Sequence, residues 1–339
     1  MSAPHPVAES FLARHGYAGA AREALPGDAG RRRYTRLRGG PRPALLMDCS
    51  AEPEVDLHPF LRLAAPLAAG GLSVPAILAR EAAAGLLLVE DLGEETHAAL
   101  LDSGADPVPL YAAAGGALAV LHGLPVPPGL PRWGAAEMAK AAAATFLDWW
   151  WPAALGHRPD AAARAGFEAA LRETVAPFEP AGAADGVIVH RDYFPANLTR
   201  VPGREGVAAV GLLDFQDGAL GNGAYDLVSL VEDARRDVAP AAREAAIAAY
   251  LAGRPGEEPA RLAAAMAALG AVRHLRVASL WVRLERRDGK PRYLVHGPRC
   301  WALLARSLSH PAAAPLAAFL DRHVPPEARR NPPPEGLAA

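Results

Sequence analysis

The chain has 339 residues, of which 51% are hydrophobic, so it can bury a large core and is long enough for two domains. Its formal net charge of −2 gives no basic footprint for nucleic acid or an anionic membrane. Two cysteines are too few for a disulfide framework, and we find neither a signal-peptide pattern nor the roughly 20 apolar residues of a spanning helix. We expect a soluble cytoplasmic protein without nucleic-acid or membrane partners; its oligomeric state is not indicated.

The N-terminal part is predicted to be a small β-rich region. Short apolar runs bounded by glycine and proline indicate strands, and apolar residues at helical spacing indicate two helices. The predicted helices are Val7–His15 and Asp56–Ala69, and the predicted strands are Arg31–Arg38, Arg42–Cys49, Val74–Arg80 and Gly85–Glu90.

After Asp91-Leu92-Gly93 the pattern is almost entirely helical and rich in alanine and leucine. We predict residues 1–91 as an N-terminal nucleotide-binding lobe, 92–324 as a C-terminal catalytic and substrate lobe, and 325–339 as a loose Pro-rich tail. The predicted helices are Pro109–Leu121, Ala135–Trp150, Ala161–Ala176, Tyr225–Ala234, Arg243–Leu251, Pro259–Glu285 and Arg299–Leu308, and short strands are predicted at Gly186–His190, Leu198–Val201 and Val207–Asp214.

The segment His190–Asn197 has the form H-R-D-x-x-x-x-N of a kinase catalytic loop. Phosphoryl transfer needs a carboxylate that orients and deprotonates the attacking hydroxyl, and Asp192 suits that role. It also needs oxygen ligands for Mg²⁺, which Asn197 and the later Asp214 can supply. An H-R-D triplet alone arises by chance, but here the asparagine lies at the right offset and a strand ending in an aspartate follows. The sequence therefore predicts an ATP-dependent kinase with an α+β, two-lobed, protein-kinase-like fold.

Two further residues are predicted to support this loop. His190 is expected to brace the loop and not to act as a ligand or base. Asp226 opens an apolar helix, where it either complements the helix dipole or accepts hydrogen bonds from catalytic-loop amides. We favour the second role, which is structural.

The nucleotide is predicted to bind in two places of the N-terminal region. Glu90, Asp91 and Leu92 end a strand at the lobe boundary, where backbone groups between apolar walls suit a nucleotide base; the alternative is a solvated acidic turn. A glycine-rich turn before a basic strand offers amides and positive charge to phosphates. The candidates in that turn are Gly27, Ala29, Gly30, Arg31 and Arg33.

One departure from protein kinases concerns lysine. Those enzymes hold the α- and β-phosphates with a lysine on a strand that here reads Ala44–Asp48. Only Lys140 and Lys290 are lysines, and the other 33 of the 35 basic residues are arginines. Either an arginine of Arg31–Arg33 takes that role, or nucleotide binding is impaired.

Candidate substrate contacts are Gln216, Asp217, Arg283 and Arg287. Gln216 replaces the glycine of the D-F-G motif, which argues against a protein-kinase activation loop. The two arginines belong to a basic stretch, Arg273–Tyr293. That stretch is either a solvated helix face or a cationic wall for an anionic substrate.

Together these segments resemble the aminoglycoside phosphotransferase and choline kinase superfamily, in particular its bacterial anomeric kinases of N-acetylmuramate and N-acetylglucosamine in cell-wall recycling. The resemblance implies a small-molecule amino sugar as acceptor, ATP with Mg²⁺, Asp192 as base and Asn197 and Asp214 as metal ligands. It also implies that the missing lysine is normal for this group. It rests on Gly27–Arg36, Leu45–Asp48, Leu86–Gly93, His190–Asn197, Leu212–Leu230 and Arg273–Tyr293, nearly the whole chain apart from the termini.

Two alternatives stay open. A kinase of aminoglycosides, choline or another amino alcohol would need an acidic pocket for its cationic substrate, whereas residues 273–306 are rich in arginine. A catalytically silent nucleotide-binding scaffold would explain the missing lysine. Such a scaffold would be expected to lose at least one of the three acidic or amide residues that this chain keeps.

Overall fold

The computed structural model describes residues 6–25, 32–49 and 57–335. The chain divides into a small unit, residues 1–105 with 195–217, and a large unit, residues 106–194 with 218–339. The small unit extends to residue 105, which is one short helix beyond the predicted lobe boundary at residue 91. Residues 195–217, which we placed in the C-terminal lobe, belong to the small unit.

The small unit is built on a five-stranded antiparallel sheet of order β1-β2-β3-β5-β4. Its first strand and the helix α3 were not predicted, because β1 is a four-residue exposed edge without an alternating apolar pattern. The elements up to residue 105 are α1 (Pro6–Arg14), β1 (Ala21–Ala24), β2 (Arg33–Arg38), β3 (Ala44–Asp48), α2 (His58–Ala69), β4 (Ile77–Glu81), β5 (Leu86–Glu90) and α3 (His97–Asp102).

The core of the small unit lies between the sheet and α1. Phe11 and Leu12 of α1 are fully buried against Leu37, Leu46 and Leu88 of the sheet. Every apolar residue of β5 from Leu86 to Val89 is at most 2% exposed. This burial on both faces is typical of a central strand and positions the segment that follows it.

The rest of the chain is mainly helical, apart from four short strands. A π-helical turn, Phe146–Trp150, joins α5 to α6. The strand β9 and the helix α12 were not predicted. The elements are α4 (Pro107–Gly123), α5 (Ala135–Thr145), α6 (Trp151–Leu155), α7 (Ala161–Val175), β6 (Val187–Val189), β7 (Leu198–Arg200), β8 (Val210–Leu212), β9 (Ala219–Gly221), α8 (Ala224–Val231), α9 (Pro240–Ala252), α10 (Pro259–Asp288), α11 (Gly297–Leu308) and α12 (Ala314–His323).

Two antiparallel strand pairs position the predicted catalytic residues. In the large unit β6 pairs with β9, and in the small unit β7 pairs with β8. The β7–β8 pair is tied to the rest of the small unit because Leu212 N–H donates to Ser73 O at 2.7 Å and Arg200 N–H donates to Glu95 O at 2.8 Å. These backbone bonds explain why residues 195–217 belong to the small unit.

The helix α10 spans 30 residues and packs against α5, α8 and α11 in the large unit. Trp150 and Trp151 are buried in the core of the large unit. Among the described residues, no helix combines the length and apolar character needed to cross a membrane.

The prediction of a loose tail is wrong for residues 325–335. The indole N–H of Trp150 donates to Arg330 O, and that of Trp301 donates to the Asn331 side chain, both at 2.9 Å. Asn331 also donates to Ala278 O at 3.1 Å. Buried indole N–H groups need acceptors, and the tail supplies them. The remaining residues 336–339 lie outside the described part of the chain.

Candidate active site

The catalytic loop of the large unit is fixed by a buried carboxylate. Asp226, at the start of α8, is 0% exposed and accepts hydrogen bonds from the backbone N–H groups of His190 and Arg191 at 2.5 and 2.8 Å. The ring Nε2 of His122 lies 3.3 Å from the same carboxylate. The contact predicted for Asp226 is thus present. A buried carboxylate is stable only with such partners, so this one ties the loop firmly to α8.

Arg191 holds an unusual backbone conformation directly before Asp192. Its φ is +74°, in the left-handed region that residues other than glycine rarely adopt. Its guanidinium carbon lies 3.9 Å from the centroid of the Trp133 ring, a close cation–π contact. Strained residues cluster at functional sites, where the surrounding contacts hold them in place.

The residue after Asp192 is anchored as well. Tyr193 is fully buried, and its hydroxyl donates to Ala114 O at 2.8 Å. Burial, together with the nearby charge of Asp226, raises the pKa of Tyr193 well above its ordinary value, so the phenol stays neutral and keeps its hydrogen bond. The half-buried Asp192 is therefore held between two rigid neighbours.

An arginine that the sequence analysis did not single out lies close enough to Asp192 for their charges to interact. Arg276 of α10 donates from Nη2 to the Tyr225 hydroxyl at 3.2 Å and lies 6.0 Å from the Trp133 ring centroid. Burial alone would lower the pKa of Arg276, but Tyr225 and Asp192 raise it overall. A guanidinium therefore faces the predicted base within the large unit. The only sequence signal for it is its position in the basic stretch.

The small unit brings together the two predicted metal ligands. The ladder pairs Leu198 with Leu212, and Leu213 N–H donates to Asn197 O at 2.9 Å. Asn197 and Asp214 therefore lie at the same end of the β7–β8 pair. Asp214 has φ +60° and is the second residue other than glycine in the left-handed region among the described residues.

The donor atoms at this end of the β7–β8 pair fit a magnesium ion. Asn197 and Asp214 offer hard oxygen donors, and Mg²⁺ is usually held by one or two carboxylates together with substrate phosphates. Gln216 donates to Asp214 Oδ1 at 2.5 Å, while its own Oε1 is buried without a hydrogen-bond partner. The described residues contain no cluster of three or more His, Cys, Asp or Glu that could hold a metal without a substrate.

A tyrosine on β2 also lies close to Asp214. Burial is the main cause that raises the pKa of Tyr34 to about 12, and the charges of Asp214 and Cys49 add to it, while Arg32 opposes it. The phenol is therefore neutral at physiological pH.

The side chains at the predicted hinge are engaged in ion pairs. Glu90 binds Arg204 at 2.6 Å, and Asp91 binds Arg36 at 2.5 Å, both within the small unit. Leu92 is buried. If a nucleotide base binds here, it meets backbone groups, as predicted, and not these two carboxylates.

The other predicted residues are placed as follows. Arg33 is exposed at the start of β2, opposite Asp48. The candidates Gly27, Ala29, Gly30 and Arg31 lie outside the described residues. In the small unit Gln216 is buried and Asp217 is exposed, whereas Arg283 and Arg287 belong to α10 of the large unit. The predicted substrate residues are thus divided between the units.

A model of the phosphotransferase enzyme family matches residues 22–265. The chain belongs to the phosphotransferase enzyme family. The matched region includes the catalytic loop, both predicted metal ligands and the start of α10. Membership confirms the superfamily to which the sequence was compared.

Two curated relatives match most of the chain. An N-acetylmuramate/N-acetylglucosamine kinase of Caulobacter vibrioides is 39% identical over 355 aligned positions, covering 95% of this chain and 97% of the relative. A protein of the same name from Pseudomonas aeruginosa is 34% identical over 304 positions, covering 86% of each. Among solved structures, a choline kinase of Streptococcus pneumoniae is similar, with a TM-score of 0.60, 12% identity and coverage of 91% and 98%. That likeness confirms the predicted protein-kinase-like fold.

Proposed function

We propose that this member of the phosphotransferase family is an ATP-dependent kinase of N-acetylmuramate, N-acetylglucosamine or both, acting on the anomeric hydroxyl in peptidoglycan recycling. The observation that carries the proposal is the 39% identity to the Caulobacter kinase over nearly the full length of both chains. The rigid setting of Asp192 supports the chemical part. The similar choline kinase of Streptococcus pneumoniae is 12% identical, which supports a shared fold and not a shared acceptor.

In the proposed reaction Asp192 is the catalytic base. The anomeric hydroxyl gives its proton to the Asp192 carboxylate while its oxygen forms a bond to the γ-phosphorus of ATP. The bond from that phosphorus to the β,γ-bridging oxygen breaks in line, and ADP leaves with the electron pair. An anomeric hydroxyl is more acidic than an ordinary alcohol, so a carboxylate suffices. Most of the catalysis then comes from positioning and charge stabilisation.

The other residues position the reactants. His190 and Asp226 support the loop, since the Asp226 carboxylate accepts hydrogen bonds from the backbone N–H groups of His190 and Arg191. Asn197 and Asp214 would hold Mg²⁺, which supplies charge neutralisation at the phosphates when bound. For the nucleotide we keep the predicted residues, which are the glycine-rich turn with Arg33 and the backbone of Glu90, Asp91 and Leu92.

A panel of acceptors tests the proposal. The purified chain is incubated with Mg-ATP and N-acetylmuramate, N-acetylglucosamine, kanamycin or choline, and ADP release is measured by coupled enzymes. We expect turnover with at least one of the two sugars and none with kanamycin or choline. Turnover with kanamycin or choline alone would support the amino-alcohol alternative. Mg-ATP binding without turnover on any acceptor would support the silent scaffold.

A pair of variants tests the base. Asp192→Asn keeps the size of the side chain but removes the acceptor of the proton, so we expect kcat to fall about 10³-fold or more. Asp185→Asn changes an exposed aspartate shortly before β6 and serves as the matched control. If Asp192→Asn keeps more than a tenth of the wild-type kcat while the control is unchanged, the assigned role is wrong.

A further inference from the structure

Two arginines of α10 carry guanidinium groups that no salt bridge within the described part of the chain engages. Arg276 and Arg283 are seven residues apart, close to two helical turns, so they lie on the same face of the helix. The Nε atom of each is buried without a hydrogen-bond partner. Neither forms a salt bridge with a described acidic residue.

The surroundings of Arg283 also disfavour its charge. Burial is the main cause that lowers its pKa; Arg287 lowers it further, Asp288 opposes this, and Arg276 adds the smallest lowering effect. A partly buried charge raises the free energy of the folded state unless an ion of opposite charge lies beside it. Together with the unpartnered Nε atoms, this favours binding of an anion on this face of α10.

The other arginines in this half of α10 are placed differently. Arg273 donates to Ser229 Oγ at 2.7 Å and has buried nitrogens without a partner, but at 3% exposure it is out of reach of a ligand. Arg286 binds Glu285, and the exposed Arg287 binds Asp288 at 2.7 Å. Arg276 and Arg283 are therefore the arginines of this half that are partly exposed and form no salt bridge with a described carboxylate. Of the two arginines predicted as substrate contacts, the structure favours Arg283 over Arg287.

The position of Arg276 identifies which anion is expected. Its charge interacts with Asp192, and its Nη2 donates to the Tyr225 hydroxyl, which places the group next to the predicted base. When the C1 hydroxyl of a sugar reaches Asp192, the other substituents of the sugar ring lie within a few ångströms of it and therefore close to Arg276. N-acetylmuramate differs from N-acetylglucosamine by a lactyl ether that carries one carboxylate. A guanidinium group binds a carboxylate through two parallel hydrogen bonds.

We propose that Arg276 and Arg283 form a carboxylate subsite that binds the lactyl group of N-acetylmuramate and distinguishes it from N-acetylglucosamine. This inference rests on the proposed function. The same arginines would also suit a phosphate group of the nucleotide, which is the other anion present in the reaction. A comparison of the two sugars separates these sources, because both sugars use the same nucleotide.

The test compares kinetic constants of wild type, Arg276→Gln and Arg283→Gln for both sugars and for ATP. We expect Arg283→Gln to raise the KM for N-acetylmuramate about 10- to 100-fold and to change the KM for N-acetylglucosamine less than about 2-fold, given the strength of hydrogen bonds to charged groups. Arg276 also interacts with Asp192, so Arg276→Gln should impair both sugars but raise the KM for N-acetylmuramate about 10-fold more than that for N-acetylglucosamine. Arg276→Lys should give an intermediate loss, since lysine keeps the charge without the planar fork. Arg261→Gln, at the exposed start of the same helix, is the control and should leave both constants unchanged.

Each other outcome has a distinct meaning. An equal loss of kcat/KM with both sugars indicates a structural role of the arginines and contradicts the subsite. Thermal unfolding of the variants then shows whether a destabilised fold is the cause. If the KM for ATP rises while the ratio of the KM values for the two sugars is unchanged, the arginines bind the nucleotide. That result also contradicts the subsite. Wild-type protein that phosphorylates neither sugar contradicts the proposed function and the subsite with it. Wild-type protein active on N-acetylglucosamine alone contradicts only the subsite.

Discussion

The arginines of the small unit differ from those around the predicted catalytic loop of the large unit. In the small unit, six arginines bind carboxylates: Arg14–Glu81, Arg22–Glu9, Arg36–Asp91, Arg38–Glu23, Arg200–Glu95 and Arg204–Glu90. Around the catalytic loop of the large unit, Arg191, Arg235 and Arg276 instead lie against aromatic rings. The first arrangement balances charge within the protein. The second places guanidinium groups against ring faces around the predicted base.

The residues predicted to bind ions or substrate also differ between the two units. The small unit offers Asn197 and Asp214, oxygen donors that suit a cation, whereas the large unit offers Arg276 and Arg283, which suit an anion. Among the described residues, each unit also holds one residue other than glycine in the left-handed region, Asp214 in the small unit and Arg191 in the large one. Backbone strain therefore lies at one predicted functional residue, Asp214, and directly before another, Asp192.

Among the variants that test this comparison, the largest loss of activity is expected at Asp214. Asp214→Asn removes the charge but keeps a side chain that tolerates φ near +60°, so we expect it to fold, to need more Mg²⁺ and to lose about 100-fold or more in kcat. Asp214→Ala should lose similar activity and, in addition, some stability from the strained backbone. Magnesium titrations of activity and chemical denaturation measure the two effects. Unchanged magnesium dependence in Asp214→Asn would contradict the metal role.

In the large unit the comparison predicts a loss of stability at Asp226. Asp226→Ala leaves the amides of His190 and Arg191 without their acceptor in a fully buried place. We expect the free energy of unfolding to fall by about 3 kcal/mol and kcat to fall as well, because the loop loses its anchor. Urea denaturation followed by fluorescence measures the first, with the exposed Asp185→Ala as control. A stability within about 0.5 kcal/mol of wild type would show that the anchor is not needed.

Acid should weaken the small unit through His97. This buried residue at the start of α3 has a pKa lowered to about 4, chiefly by burial and further by Arg200. The folded state therefore favours the neutral ring, and the unfolded state binds more protons between the unfolded pKa near 6.5 and about 4. The free energy of unfolding should fall by up to about 3 kcal/mol as pH decreases through that window. The difference between wild type and His97→Gln isolates this contribution; a difference independent of pH would contradict it.

The smallest effect is expected for a surface ion pair. Arg200 and Glu95 are about half exposed, with 53% and 50% of their side chains accessible. Arg200→Gln should change the free energy of unfolding by about 0.5 kcal/mol or less and should slightly raise the pKa of His97. Denaturation at low and high salt checks this. A decrease in the free energy of unfolding several times larger would mean that ion pairs are a major source of the stability of the small unit.

The predicted catalytic loop is recognisable in the sequence because phosphoryl transfer requires residue types at fixed offsets. His190, Asp192 and Asn197 lie within eight residues of one another, and Asp226 lies at the start of a helix. Arg276 was not predictable, because several arginines occupy α10 and only the fold shows which of them lies beside Asp192.

The sequence also did not predict the short elements or the hydrogen bonds of the tail, because neither produces a repeating pattern. The strand β9 has three residues, too few for a period, and it forms because β6 pairs with it. The Pro-rich tail lacks a helical or strand pattern, yet Asn331 packs through single hydrogen bonds to Trp301 and Ala278. Contacts made by one side chain leave no repeat in the sequence.

The position of the new phosphate tests the central claim most directly. Wild-type protein is incubated with Mg-ATP and either sugar, and phosphorus and carbon NMR spectra of the product locate the phosphate by its coupling to the sugar carbons. The proposal predicts coupling to C1 of N-acetylmuramate, N-acetylglucosamine or both. A phosphate on any other oxygen, or no phosphorylated sugar while ATP is bound, would contradict it.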